Sequence, residues 1–307
     1  MLNIFLLALP IYILLSIGFL AVRLRYIDGA EVKGFGSIIL KIFLPAMMFL
    51  AITGNPLNET LRWDYIFAYA VGSLAIYALG FTIVRLSGRS FGDAAIEAMG
   101  MSCSNSAFFA LPVATLVVGP EVALQCFALA VLVENLLMIP MAVSLCEVGQ
   151  GKAPVSVRGV ATSILRNPLT VAAIVALVWT GFHLPVPEPA DQVLRMMAPV
   201  AAPVALLIIG GSVAQLSLRE LDGGVARIVI GKLLGHPLAV ALVFMLVPSV
   251  PDPMRVAGVL GAGVPMISIY SLFGQRFGRL GLTATAQVLA TILSFFTLTV
   301  ALRFLQP

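Results

Sequence analysis

Gly100-Met-Ser-Cys-Ser-Asn-Ser-Ala-Phe-Phe-Ala-Leu-Pro112 decides how this chain folds. It lies inside an otherwise apolar run, 93–118, about long enough to cross roughly 30 Å of hydrocarbon as a helix. Within that run sit Ser102, Ser104, Asn105 and Ser106, followed by Pro112. A proline inside a helix removes one backbone hydrogen bond and clashes with the preceding turn. Lipid offers no substitute partner for the freed groups, so such a break survives only where protein covers it or a wet cavity meets it. The stretch therefore predicts a broken membrane span whose break is buried in a bundle of other spans.

The composition agrees. Of 307 residues, 60% are apolar and 10% charged, where a soluble domain is nearer half and a quarter. An ordinary globular protein is excluded, as is a disordered or nucleic-acid-binding chain, which would carry many more solvated charges. Ten candidate spans follow, at about 2–21, 35–53, 65–86, 93–118, 121–145, 166–183, 192–213, 225–247, 254–274 and 280–304. Runs such as Val171-Ala-Ala-Ile-Val-Ala-Leu-Val178 do not alternate in polarity, which excludes a β-barrel. The first span has no basic residue before its apolar run and is not expected to be a cleaved signal. Twelve of the 18 Lys and Arg fall in the loops after odd-numbered spans, from Arg23, Arg25 and Lys33 to Arg276 and Arg279. The positive-inside rule then puts both termini on the non-cytoplasmic side of the cell inner (plasma) membrane. Every loop is about 20 residues or shorter, so chemistry is expected within the bilayer. Cys103, Cys126 and Cys146 sit in apolar stretches without metal-ligand spacing and read as small packing residues.

Ten spans divide into two sets of five, and an odd number per set inverts one relative to the other. Pro45 and Pro203 lie 158 residues apart, and Pro112 and Pro265 lie 153 apart, as matched positions of a repeat would. The expected halves are 1–149 and 166–307, joined by a cytoplasmic loop over 150–165. Span nine reads Gly258-Val-Leu-Gly-Ala-Gly-Val-Pro265, so spans four and nine would both break near mid-bilayer. Inverted repeats with paired breaks point to a secondary transporter, and two facing half-helix N-termini favour an anionic ligand.

These residues resemble a known family. Asn105-Ser-Ala-Phe-Phe-Ala-Leu-Pro112 is similar to the Asn-x-Gly-Phe-x-Gly-x-Pro stretch of the auxin efflux carrier family, which includes bacterial malonate permeases and plant auxin exporters. Glu134-Asn-Leu-Leu-Met-Ile-Pro140 resembles its fifth-span motif. Lys232-Leu-Leu-Gly-His-Pro237 resembles its Lys-Leu-x-x-x-Pro, and Pro265 followed by Phe277-Gly278 resembles its later motif. Ala107 and Ala110 stand where the family has glycines, and span nine lacks an asparagine after its proline. The resemblance implies crossed broken helices, as in sodium/proton antiporters and bile-acid symporters. It also implies transport of organic anions by an elevator-like motion.

Asn105 is the leading ligand-binding candidate, because an amide in hydrocarbon needs partners and one beside a break can offer both its groups. Ser104, Ser106, Pro112, Asn135, Pro265, Ser268 and Gln287 complete the expected substrate site. Glu134, costly in mid-span, could carry a coupling proton or pair with a buried cation. Lys41 and Lys232 are charge-pair candidates, although both lie close enough to span ends to snorkel. Glu97, two turns before Asn105, reads as a solvated helix end, and His236 as a packed polar residue rather than a relay. Trp63, Tyr65, Tyr69 and Trp179 read as interfacial anchors. The expected protein is an all-α secondary transporter of a small organic anion, with a proton or sodium as coupling ion. Its expected partners are the substrate anion, the coupling ion and the lipid bilayer; dimerisation is common for this architecture, but no surface in the sequence demands it, and no cofactor, metal or nucleic acid is expected. An enzyme is disfavoured, since His183 and His236 lie at different depths and nothing pairs a nucleophile with a base. A non-transporting sensor or assembly subunit is the alternative.

Overall fold

The computed structural model describes residues 2–54, 61–152, 158–159, 162, 165, 167–215 and 223–305. These residues are all helix and connection, with no strand among them beyond one isolated bridge. The helices are α1 (Leu2–Arg23), α2 (Gly29–Thr53), α3 (Trp63–Leu86), α4 (Phe91–Ser102), α5 (Ser106–Val118) and α6 (Pro120–Gly149). They continue as α7 (Pro168–Gly181), α8 (Glu188–Ala214), α9 (Gly223–Leu246), α10 (Asp252–Gly263), α11 (Tyr270–Arg276) and α12 (Leu280–Leu305). Six of them are long and apolar enough to cross a membrane, namely α2, α3, α6, α8, α9 and α12. The expected spans four and nine are each two helices in line, α4 with α5 and α10 with α11. Most of the expected connection over 150–165 lies outside the described residues.

Four helices carry a wide π-type turn, at Ile39–Phe43, Ser106–Ala110, Glu134–Met138 and Gly231–Gly235. Each ends two residues before a proline: Pro45, Pro112, Pro140 and Pro237. A proline offers no N–H and pushes on the preceding turn, and widening that turn relieves the clash without breaking the helix. Between α5 and α6 the chain reverses at Gly119, whose φ of 85° suits a residue without Cβ.

Packing divides the helices into two groups. In one, α1 lies along α8, α7 lies along α2, and α8 crosses α2. In the other, α3 packs on α4 and α9, α4 on α6, and α10 on α5, α6 and α9, with α12 against α9 and α11. The outer surface is apolar: Leu238, Leu242, Met245, Phe296 and Val300 are all more than half exposed. A soluble protein rarely shows so continuous an apolar surface, whereas lipid tails cover it without cost. Charges gather where helices end. Arg227 of α9 grips Glu97 of α4 with two hydrogen bonds of 3.1 and 3.2 Å. Arg279, just before α12, donates to Asp93 of α4 at 2.5 Å, and Arg276 of α11 pairs with Glu147 of α6.

Candidate functional site at the helix crossing

The breaks in the two in-line pairs meet. Ser104 faces Met266 in a short antiparallel bridge. The Asn105 N–H donates to the Pro265 carbonyl at 2.9 Å, and the Ile267 N–H donates to the Cys103 carbonyl at 3.1 Å. Each break thus satisfies backbone groups that the other has freed, which is the condition for an unwound segment at membrane depth. Pro265 fits because only its carbonyl is used, and a proline has no N–H to leave unpaired.

Extended backbone sends alternate side chains to opposite sides. Asn105 goes one way. Its amide nitrogen donates to Ser268 Oγ at 2.9 Å, and its carbonyl oxygen accepts the Phe108 N–H at 3.3 Å, capping α5. Gln287 of α12 closes this side, donating to the Ser268 carbonyl at 2.9 Å and accepting the Ser271 N–H at 3.3 Å. Asn105 is 8% exposed, Gln287 is half-buried and Ser268 is exposed, so this face of the crossing is open.

Ser104 and Ser106 turn the other way, into a chain of buried charges. Ser106 Oγ donates to Glu134 Oε1 at 2.8 Å, and the Tyr69 hydroxyl donates to the same oxygen at 3.3 Å. Lys232 is wholly buried. Its ammonium donates to Ser104 Oγ at 2.5 Å and the Ala262 carbonyl at 2.9 Å, and meets His236 Nδ1 at 2.8 Å. Beside a charged ammonium Nδ1 must be the acceptor, which leaves Nε2–H to donate to Ser73 Oγ at 2.9 Å. Three acceptors meet three ammonium hydrogens. The cation also lies against the C-terminal end of α10, where its charge opposes the helix dipole. Both buried charges stand in wide turns, Glu134 opening one and Lys232 second in another.

The crossing therefore gathers Ser104, Asn105, Ser106, Glu134, Lys232, Pro265, Ser268 and Gln287. Three expected residues lie elsewhere. Pro112 is buried within α5, away from the bridge. Asn135 bonds Thr170 of α7 at 3.1 Å. Lys41 is exposed on α2. Several readings are corrected. Lys232 does not snorkel, because Gly231 and Gly235 bring α9 against α3 and α4 and enclose it. Glu97 is 1% exposed and paired with Arg227 rather than solvated. Tyr65 and Tyr69 are each 1% exposed, since they share the inward face of α3 with Ser73. Tyr69 and Ser73 are thus site residues that the sequence reading passed over, and their four-residue spacing was the available signal. At the ion-paired end, Arg89, Asp93, Glu97, Gly278 and Arg279 line a polar cavity of about 130 Å³.

A family model described as "Membrane transport protein" matches residues 3–302. A Rhizobium meliloti (strain 1021) protein named "Putative malonate transporter" is 27% identical over 299 residues, covering 95% of this chain and 93% of that one.

Proposed function

From the premise that this chain belongs to the membrane transport protein family, that of the auxin efflux carriers, we propose that it is a secondary transporter of a small organic anion working by alternating access about the crossing. It is a multi-pass membrane protein. Ten spans in two inverted halves, 1–149 and 166–307, with the basic loops cytoplasmic, are the topology we assign to it. The relative's name makes malonate, a dicarboxylate, the first substrate to try.

The observation that carries this reading is the two-sided break. On the open side, Asn105, Ser268 and Gln287 offer polar groups that already hold one another and can be exchanged for a ligand's oxygens. A carboxylate is a strong acceptor, and an amide N–H₂ with a hydroxyl can serve it. On the closed side, Glu134 is the acid that takes up or releases the coupling proton, and Lys232 is its resident counter-charge. One extended segment carries both sets, so binding on one side strains the hydrogen bonds of the other, and differential contact of that kind is what coupling requires. We place the cytoplasmic approach at the polar cavity lined by Arg89, Asp93, Glu97 and Arg279.

Uptake of labelled malonate and related carboxylates into proteoliposomes tests the reading, with an inward proton gradient compared with a sodium gradient and Asn105→Ala alongside. Saturable uptake that follows the proton gradient and is lost in the variant is the expected result. Leak that does not saturate would make the protein a channel. No flux of any anion by folded protein would favour a sensor.

A further inference from the structure

We propose that the anion passing the crossing carries a single negative charge: a monocarboxylate, or a dicarboxylate with one carboxyl protonated, the dianion being excluded. The proposal rests on the reading of the crossing as a carrier's substrate site with Glu134 as its coupling acid, and it assigns that site a charge class.

The donors on the open side are all neutral. Asn105 and Gln287 bring an amide each and Ser268 a hydroxyl, about five N–H and O–H hydrogens together. A carboxylate has about four lone-pair sites, so this set suits one carboxylate and leaves little for a second. Cations are kept at a distance. Of the helices packed about this side, α5 holds no charged residue, and α8, α10, α11 and α12 hold theirs near their ends. Their cations are Arg195, Arg255, Arg276 and Arg303, and the first three pair with Asp191, Asp252 and Glu147. Arg279, beside the polar cavity, pairs with Asp93 and stands eight residues before Gln287, about 12 Å along α12. A short diacid held at Asn105 cannot reach it.

The buried charges behind the strand set the balance. Lys232 and Glu134 are tied to Ser104 and Ser106, the two residues that flank Asn105. His236, whose Nδ1 accepts from the ammonium, is neutral. With Glu134 ionised, the charges at the crossing cancel. Once Glu134 has taken up its proton, the positive charge of Lys232 is left over. A buried charge is costly without a partner, and a site closed off in passage has no water to supply one. One anionic charge then restores neutrality, whereas a dianion leaves a negative charge unmatched. Protonation of Glu134 and binding of a monoanion therefore favour each other. A dicarboxylate obeys the same rule. An O–H bond forms on one of its carboxylates with a proton from bulk solvent before binding, and breaks after release on the far side.

The test measures initial uptake into proteoliposomes at equal pH on both faces, over the range in which malonate's second carboxyl gives up its proton. Malonate is compared with its half-amide, which has the size of the protonated acid and carries one charge throughout. Titrations of the protein act on both compounds alike, so the ratio of their KM values, malonate over half-amide, reports the charge state that binds. The ratio is expected to rise about tenfold for each pH unit once the dianion predominates, because only the protonated fraction can occupy the site. Ser268→Lys puts a cation at an exposed position of the site and should flatten that rise. A ratio independent of pH, or a half-amide that is not carried while malonate is, would overturn the single charge and leave the carrier reading standing. A rise that Ser268→Lys leaves untouched would overturn the placing of the charge limit at the crossing. Saturable uptake of neither compound at any pH would overturn both readings.

Discussion

The two strands of the crossing do the same backbone work with opposite side-chain chemistry. Cys103, Ser104 and Asn105 place a polar group on each side of the bridge, whereas Val264, Pro265 and Met266 place none. The second strand contributes a carbonyl, an N–H and bulk. Its polar residue, Ser268, comes later and is exposed. Two facing breaks thus need to match only in their backbone, where unsatisfied groups would be costly on either side. Side chains are free to diverge: the strand at Ser104 carries polar groups to both sides, while the second strand leaves that work to Lys232, Ser268 and Gln287 around it.

Lys232 tests that division most severely, because it ties both strands together through Ser104 Oγ and the Ala262 carbonyl. Lys232→Met leaves Ser104 Oγ, the Ala262 carbonyl and His236 Nδ1 without their donor and takes a positive charge from the neighbourhood of Glu134, and should cost about 3–5 kcal/mol, read as thermal unfolding in detergent. Adding Glu134→Gln removes the facing charge and should restore part of the loss. If the double variant is no more stable than the single one, the two residues do not form a pair.

Transport should divide the strands next. On the function proposed above, Asn105→Ala takes away about two hydrogen bonds to the anion at roughly 1.5 kcal/mol each, so uptake of labelled malonate should fall about 100-fold. Ser268→Ala removes one such bond and should cost about tenfold. Equal losses would mean that both strands contribute alike to the ligand.

The glycines probe the backbone symmetry itself. Gly100 and Gly258 each precede a break, and each faces an aromatic ring. A Cβ on Gly258 would meet Phe244 at 2.6 Å, and one on Gly100 would meet the Tyr270 ring at 2.6 Å. Alanine at either position should destabilise by about 1–3 kcal/mol through overpacking, measured by the same unfolding assay. A large effect at one site and none at the other would break the symmetry.

How far these features were legible depends on which physical signal each leaves in sequence. Proline and polar residues inside an apolar run are local and costly, so both breaks, Asn105 and the ends of most helices could be read directly. The rotation of a helix about its axis is not local. Lys41 and Lys232 both sit in a wide turn before a proline, yet one is exposed and the other buried, because Gly231 and Gly235 let α9 approach its neighbours closely. Tyr65 and Tyr69 read as anchors because they lie near a span end, and only their shared face with Ser73 marks them as interior. One sequence pattern was available and passed over. Ser106, Glu134 and Lys232 each stand five or six residues before a proline, at the head of a wide turn. Such turns open the backbone enough to seat a polar side chain in the interior, and they recur at functional sites.

The finest comparison lies within α6, between neighbouring residues. Glu134 faces the crossing, while Asn135, one residue and about 100° further round the helix, faces Thr170 of α7. Both were candidates because both are polar in mid-span, but only one can face the break. Asn135→Ala deletes a single neutral hydrogen bond from a half-buried amide to the buried Thr170 hydroxyl and should cost about 1–3 kcal/mol of stability. Uptake of labelled malonate and its response to the proton gradient should be unchanged, whereas Glu134→Gln should abolish that response. If Asn135→Ala instead weakens uptake as Asn105→Ala does, the ligand reaches the α6–α7 contact. The substrate side of the crossing would then extend past Asn105 toward α7, and the division of labour between the two strands would have to be redrawn around three helices.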